Sequence, residues 1–210
     1  MAINFKNTQK LNKNFMYQDL KRSNCFDVDF SGSNFDFASL RGAHLKGCNF
    51  YKCSFKSTEF VGTNCKKVRF KNAKFEDAIF EGANLNGADF AGATFKNTVF
   101  LSTDLSVANN LDLKNSGITV YETMPELEMS EELKTAILDT MENEFVKNSR
   151  VLDTKEGEIN NLSIMRLLEH YDEKALIRGF KIMKPRLDKE FCTLSYLTKV
   201  LQTYKEAGFL

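Results

Sequence analysis

The 210-residue chain has no Trp, two Pro and two His, and its charges nearly cancel at +1. That balance excludes a uniformly acidic or basic surface as its means of finding partners. With His44 and His170 alone, and no C-x-x-C or Cys/His spacing among five Cys, no metal centre is expected. No G-x-x-x-x-G-K-[ST] is present, so the glycines form no phosphate cradle. No apolar run is long enough to cross a bilayer, and Met1–Lys10 does not read as a signal peptide. A cytoplasmic protein without catalytic residues, cofactor or membrane contact is expected.

Phe is abundant (19), and it recurs with a fixed period. In Asn72–Phe95, NAKFEDAIFEGANLNGADFAGATF, every fifth residue is large and apolar, with Ala two places before it. A period of five fits neither a helix nor a strand and marks a repeat unit. The register runs unbroken through Phe15, Leu20, Cys25, Phe30, Phe35, Leu40, Leu45, Phe50, Phe55, Phe60, Cys65, Phe70, Phe75, Phe80, Leu85, Phe90, Phe95, Phe100 and Leu105. From Ser23 to Ala108 the positions two residues earlier are all Ala, Ser, Thr, Cys or Val.

This pattern resembles the pentapeptide-repeat proteins, whose unit is written A-[DN]-L-x-x; Ala83-Asn84-Leu85 and Ala88-Asp89-Phe90 lie close to it. The resemblance implies a right-handed, four-sided parallel β-solenoid, one pentapeptide per side. About five coils at about 4.8 Å each would make the rod. Some members resemble duplex DNA in shape and negative charge and bind DNA gyrase in its place. Residues 1–112 hold 15 Lys and Arg against 11 Asp and Glu, so this rod is mildly basic. It also lacks the projecting loops of the gyrase-protecting members.

Met1–Asn14 reads as a cap and imperfect first half-coil, because Lys10 breaks the register. Residues 15–113 form the solenoid and 114–129 a linker with a closing strand at Ile118–Tyr121. Cys25, Cys48, Cys53 and Cys65 fall at inward positions and are expected as reduced core residues. Twenty residues per coil stack Asp36, Lys56, Glu76 and Lys96 into a column of alternating sign. His44 points outward in another column. Gly32, Gly42, Gly47, Gly62, Gly82, Gly87 and Gly92 mark corners.

Two outward features stand out. A basic band comprises Lys46, Lys52, Lys66, Lys67, Arg69, Lys71 and Lys74, suited to nucleic acid or an acidic partner. An apolar set, Val61, Ile79, Val99 and Leu101, lies on one side. As an exposed patch it would be an interface to a protein partner or a second copy, unless the chain's own C-terminal segment covers it.

Residues 130–210 read as a helical domain of about four helices: one capped by Ser130 and running to Lys147, one through Ile164–Tyr171, one over Lys174–Lys184 ending before Pro185, and one capped by Thr193. Tyr196-x-x-x-Val200-Leu201-x-x-Tyr204-x-x-x-Gly208 resembles the C-terminal signature of DnaD-type replication proteins, Y-x-x-x-I-L-x-x-W, with Tyr204 in the place of Trp. That resemblance, covering about residues 160–210, implies contact with DNA or replication partners. The favoured reading is a non-enzymatic scaffold that binds a protein. The alternative is a nucleic-acid-related protein, whether DnaD-like or a DNA-mimic modulator of topoisomerase.

Overall fold

The computed structural model describes residues 2–154, 156–187 and 193–210. The chain divides into two compact units, Met1–Thr123 and Met124–Leu210.

The first unit is a parallel β-solenoid of about six turns. Residues that pair along the solenoid are twenty places apart, as in Asn4↔Asn24, Phe55↔Phe75 and Phe80↔Phe100. The chain turns a corner at every fifth residue. From Asn7 to Ser102 each corner residue has a positive φ. Four corners per twenty residues give four sides. We number these by their central residues: side 1 holds Phe5 to Leu105, side 2 Lys10 to Phe90, side 3 Phe15 to Phe95, and side 4 Leu20 to Val120. The seven glycines named above occupy seven of the corners. Asn, Asp, Ser, Lys, Arg, Tyr and Phe fill the others at the cost of left-handed backbone strain.

Pairing is regular enough to form strands only in places. These are β1 (Asn4–Lys6), β2 (Asn24–Phe26), β3 (Ser54–Lys56), β4 (Glu59–Val61), β5 (Lys74–Glu76), β6 (Ile79–Glu81), β7 (Thr94–Lys96), β8 (Thr98–Leu101) and β9 (Ile118–Tyr121). Elsewhere single bridges such as Asn49↔Arg69 continue the ladder.

The axis is a stack of aromatic rings. Phe35, Phe55, Phe75 and Phe95 stack along side 3 at 5.1–5.4 Å, and rings of neighbouring sides meet edge to face. Each buried Phe contributes roughly 1.5–3 kcal/mol from burial, with more from ring geometry. The small residues beside them act as more than spacers. Thr58 Oγ1 donates to the Phe35 carbonyl (2.8 Å), Thr63 Oγ1 to Leu40 (2.9 Å), and Cys53 Sγ to Phe30 (3.1 Å). A short polar side chain at this position therefore reaches the central carbonyl of the previous turn, a bond that Ala at the same position cannot make.

The structure corrects the expected first turn and bears out the closing strand at Ile118–Tyr121. Lys10 does not break the register: its N–H donates to the Asp29 carbonyl at 2.7 Å, and its ammonium lies 4.4 Å from the Phe5 ring centroid. Residues 2–14 therefore belong to a full first turn. At the other end, the apolar pattern stops at Leu105 but the backbone register returns. β9 pairs with β8 through Phe100↔Val120, again twenty residues apart. Apolar sequence and backbone register separate here, because the last turn has no later turn to pack on. At the two open ends Phe15, Phe95 and Leu105 are only partly buried, whereas the other expected ladder residues are core.

Gly117 makes this return possible. A Cβ there would lie 2.1 Å from the Phe95 carbonyl oxygen, a backbone atom that cannot step aside. Gly117→Ala should therefore detach β9. The expected result is faster amide exchange at residues 118–121 and a loss of roughly 1–3 kcal/mol in a urea melt.

The second unit contains α1 (Glu131–Met141), α2 (Glu144–Ser149), α3 (Asn161–Leu168), α4 (Glu173–Met183) and α5 (Leu194–Glu206). Ser130 and Thr193 cap α1 and α5 as expected. The single helix expected over 130–147 is broken at Asn143. Its Oδ1 accepts from the Phe145 and Val146 N–H groups, capping α2. Its Nδ2 donates to the Lys184 and Leu187 carbonyls. α4 ends at Met183, and Pro185 sits in a 3-10 turn. α4 and α5 pack closely at Gly179, where a Cβ would meet Leu201 Cδ2 at 2.2 Å.

Candidate interaction surfaces

The solenoid's polar chemistry is carried on its outside, in columns at one-turn spacing. The sign-alternating column on side 3 forms as an ion ladder. Glu76 Oε1 accepts from Lys56 Nζ at 3.1 Å and from Lys96 Nζ at 2.9 Å. Those two hydrogen bonds, Lys96 first, hold its carboxyl below the usual carboxylate range. Asp36 takes a different part, accepting from the Lys56 backbone N–H at 2.7 Å. Because the pairs are exposed, Glu76→Gln should cost no more than about 1 kcal/mol by thermal melting.

On side 2 Asp29 is a hub. Burial acts to raise its pKa, but the Ser31 hydroxyl (2.5 Å), the Ser31 N–H and the Asn49 amide (3.0 Å) outweigh it and lower the pKa. Asp89 accepts from the Ala91 N–H and from Asn110 Nδ2. The hydrogen bonds to these carboxylates come from neutral donors, and the Arg69 charge lowers the Asp29 pKa further.

The basic residues are spread around the rod. Lys46 and Lys66 lie on side 1, Lys67 at the corner between sides 1 and 2, Arg69 and Lys71 on side 2, Lys52 at the next corner and Lys74 on side 3. All are exposed except Lys66, which is half-buried. None has an ion pair among the described residues. His44 is exposed on side 1 between Asn24 and Asn64.

The expected apolar patch on side 4 is not open. Ile79, Val99 and Leu101 are 8%, 4% and 1% exposed, and Val61 is half-buried. Part of the reason is local. Ile79 and Val99 adjoin on one ladder, and β9 sets Thr119 beside Val99 and Tyr121 beside Leu101. An aromatic feature lies elsewhere, with Tyr17 exposed and Phe37 half-buried. Tyr17 and Phe37 stack at 4.8 Å on the corner between sides 3 and 4. A period-five reading of central residues misses them, although their spacing of twenty was visible.

Cys25, Cys48, Cys53 and Cys65 are free and buried; Cys192 lies outside the described residues. Burial pushes the Cys25 thiol up to about 11 and the Cys48 and Cys53 thiols up to about 12, and raises Cys65 further. Such thiols are poor nucleophiles and poor ligands at neutral pH. Among the described residues no group of His, Cys, Asp and Glu is placed to hold a metal.

In the helical unit, Tyr171 donates its hydroxyl to the Thr198 carbonyl (3.2 Å), and burial raises its pKa. α5 carries Tyr196, Val200, Leu201 and Tyr204; Leu201 is fully buried and the other three are half-buried. Leu201 therefore serves the packing of this unit.

The family model for the pentapeptide repeat region matches residues 33–109. No curated protein matches the chain. Among solved structures, a pentapeptide repeat protein from the Arabidopsis thaliana thylakoid lumen is 18% identical, with 76% of this chain and 88% of that one covered and a TM-score of 0.36. QnrB1, a plasmid-mediated fluoroquinolone resistance protein, is 20% identical over 59% of this chain and 89% of its own, with a TM-score of 0.23. HetL, involved in heterocyst differentiation regulation in Nostoc sp. strain PCC 7120, is 18% identical over 51% and 62%, with a TM-score of 0.22. The matched family model covers the solenoid alone and lends nothing to the DnaD-type resemblance of α5. Together with the twenty-residue lattice, it makes the solenoid similar to the pentapeptide repeat proteins.

Proposed function

We propose that the chain is a non-enzymatic interaction scaffold that holds a macromolecular partner against a side of its solenoid. One observation carries this. The inner residues of the rod fill its axis and the backbone bonds run from turn to turn, so the outward residues form a fixed array at about 4.8 Å spacing. A preformed array loses little side-chain and backbone freedom on binding. Pentapeptide repeat proteins generally act without catalysis, which supports the same reading. The free, buried thiols suit a reducing compartment such as the cytoplasm.

The test is capture from lysate by the full chain, beside variants that alter one side at a time without lowering the melting temperature. Asn24, His44 and Asn64 would be changed on side 1, Asn49 and Tyr51 on side 2, and Asn34 and Lys74 on side 3. A protein retained by the parent and lost with one side's variant is the expected result. Capture indifferent to every side would contradict it.

A further inference from the structure

The third and fourth turns carry an unusual imbalance on sides 1 and 2. Residues 43–52 and 63–72 contain Lys46, Lys52, Lys66, Lys67, Arg69 and Lys71 and no Asp or Glu. Lys46 and Lys66 occupy adjacent rungs of one ladder on side 1. Within the fourth turn, Lys66, Lys67, Arg69, Lys71 and Lys74 follow one another around two corners, from side 1 across side 2 to side 3. On the Arg69 ladder Asp89 is one rung away and Asp29 two; both accept hydrogen bonds from neutral groups, and the Arg69 charge acts on Asp29 without a direct ion pair.

The neighbouring groups are donors as well. Asn64 and Asn49 spend Oδ1 on the N–H groups of Lys66 and Tyr51. Asn64 therefore offers its amide N–H groups. Such a surface selects acceptor-rich, anionic ligands.

The path of the charges selects further. A DNA duplex is stiff over about 150 base pairs and cannot follow a belt around two corners of a narrow rod. A flexible chain can. Tyr51 lies on the same belt, 37% exposed, with Lys52 Nζ 5.2 Å from its ring centroid. A cation beside an exposed aromatic ring is the pairing that holds unstacked bases. We propose that this belt binds single-stranded nucleic acid, its phosphates following Lys66, Lys67, Arg69, Lys71 and Lys74 and a base stacking on Tyr51. The site goes beyond the scaffold reading, which stands or falls separately.

Fluorescence anisotropy of the full chain with a labelled oligothymidylate of about 12 nucleotides tests it. Five phosphate contacts predict a slope of log affinity on log salt of about −3.5, so binding weakens about 100-fold between 50 and 200 mM salt. The variant carrying Lys66→Gln, Lys67→Gln, Arg69→Gln and Lys71→Gln should lose most of that slope while melting like the parent. Tyr51→Ala should weaken binding about 10-fold. No binding at 50 mM salt, unchanged affinity in the four-residue variant, or equal binding of a duplex or of polyglutamate would overturn the proposal.

Discussion

Phe55→Ala should lower the unfolding free energy by about 3–5 kcal/mol, read from the urea midpoint of the full chain. Phe55 is 0% exposed and stacks on Phe35 at 5.4 Å and Phe75 at 5.1 Å. It also meets Phe50, Phe60 and Phe70 at 5.2–5.8 Å. Truncation leaves a cavity that backbone turns at fixed rung spacing cannot close. Each turn touches only its neighbours, so the damage sits mid-rod and uncouples the two halves. Phe15→Ala, in the partly buried first turn, should cost clearly less. Equal losses at the two positions would mean that the column does not act as a stack.

The second large effect is alkaline. The folded thiols of Cys25, Cys48 and Cys53 titrate at about 11, 12 and 12, and Cys65 higher still, against an ordinary value of 9.0. Burial favours the neutral thiol, so these groups contribute stability that is fully present below pH 9. That stability is lost as pH rises, because the unfolded chain releases protons that the folded chain keeps. Each pH unit above 9 should remove about 1.4 kcal/mol per buried thiol, up to the folded pKa. Because the unfolded thiols are already half ionised at pH 9, four thiols give a fall of about 4 kcal/mol between pH 9 and 10. Urea melts across pH 8 to 10.5 measure it. Cys65→Leu puts a residue common at central positions in place of a thiol and should remove about a quarter of the slope. An unchanged slope would show that other groups govern the alkaline limb.

The sequence made the inside of the rod legible and left much of its outside unread. A central residue every fifth position is a local rule, so the Phe column, the small neighbours and the glycine corners could be located before any coordinates. The twenty-residue stacking then gave the Lys56–Glu76–Lys96 ladder, because column neighbours follow from the period. The first turn was misread for a physical reason, whereas the closing strand at Ile118–Tyr121 formed as expected. At Lys10 the backbone keeps its ladder while the side chain departs from the apolar rule, and the rule sees side chains only. The break at Asn143 was missed because an apolar stripe runs across it. The deciding bonds, from Asn143 to the Lys184 and Leu187 carbonyls, span some forty residues. The side-4 apolar residues were located correctly, but their exposure depends on what lies over them, which no residue count conveys.

A rigid lattice of rungs is the premise of the scaffold reading, and native-state hydrogen exchange on the full chain tests it most directly. Amides of the central residues Leu20, Cys25, Phe30, Phe35, Leu40, Leu45, Phe50, Cys65 and Phe70 donate to the next turn and should exchange only through global unfolding, with one common free energy. Those of β1 and β9, at the open ends, should exchange faster. Middle turns exchanging as fast as the ends, or each with its own low free energy, would contradict a fixed array and with it a partner held on a preformed side.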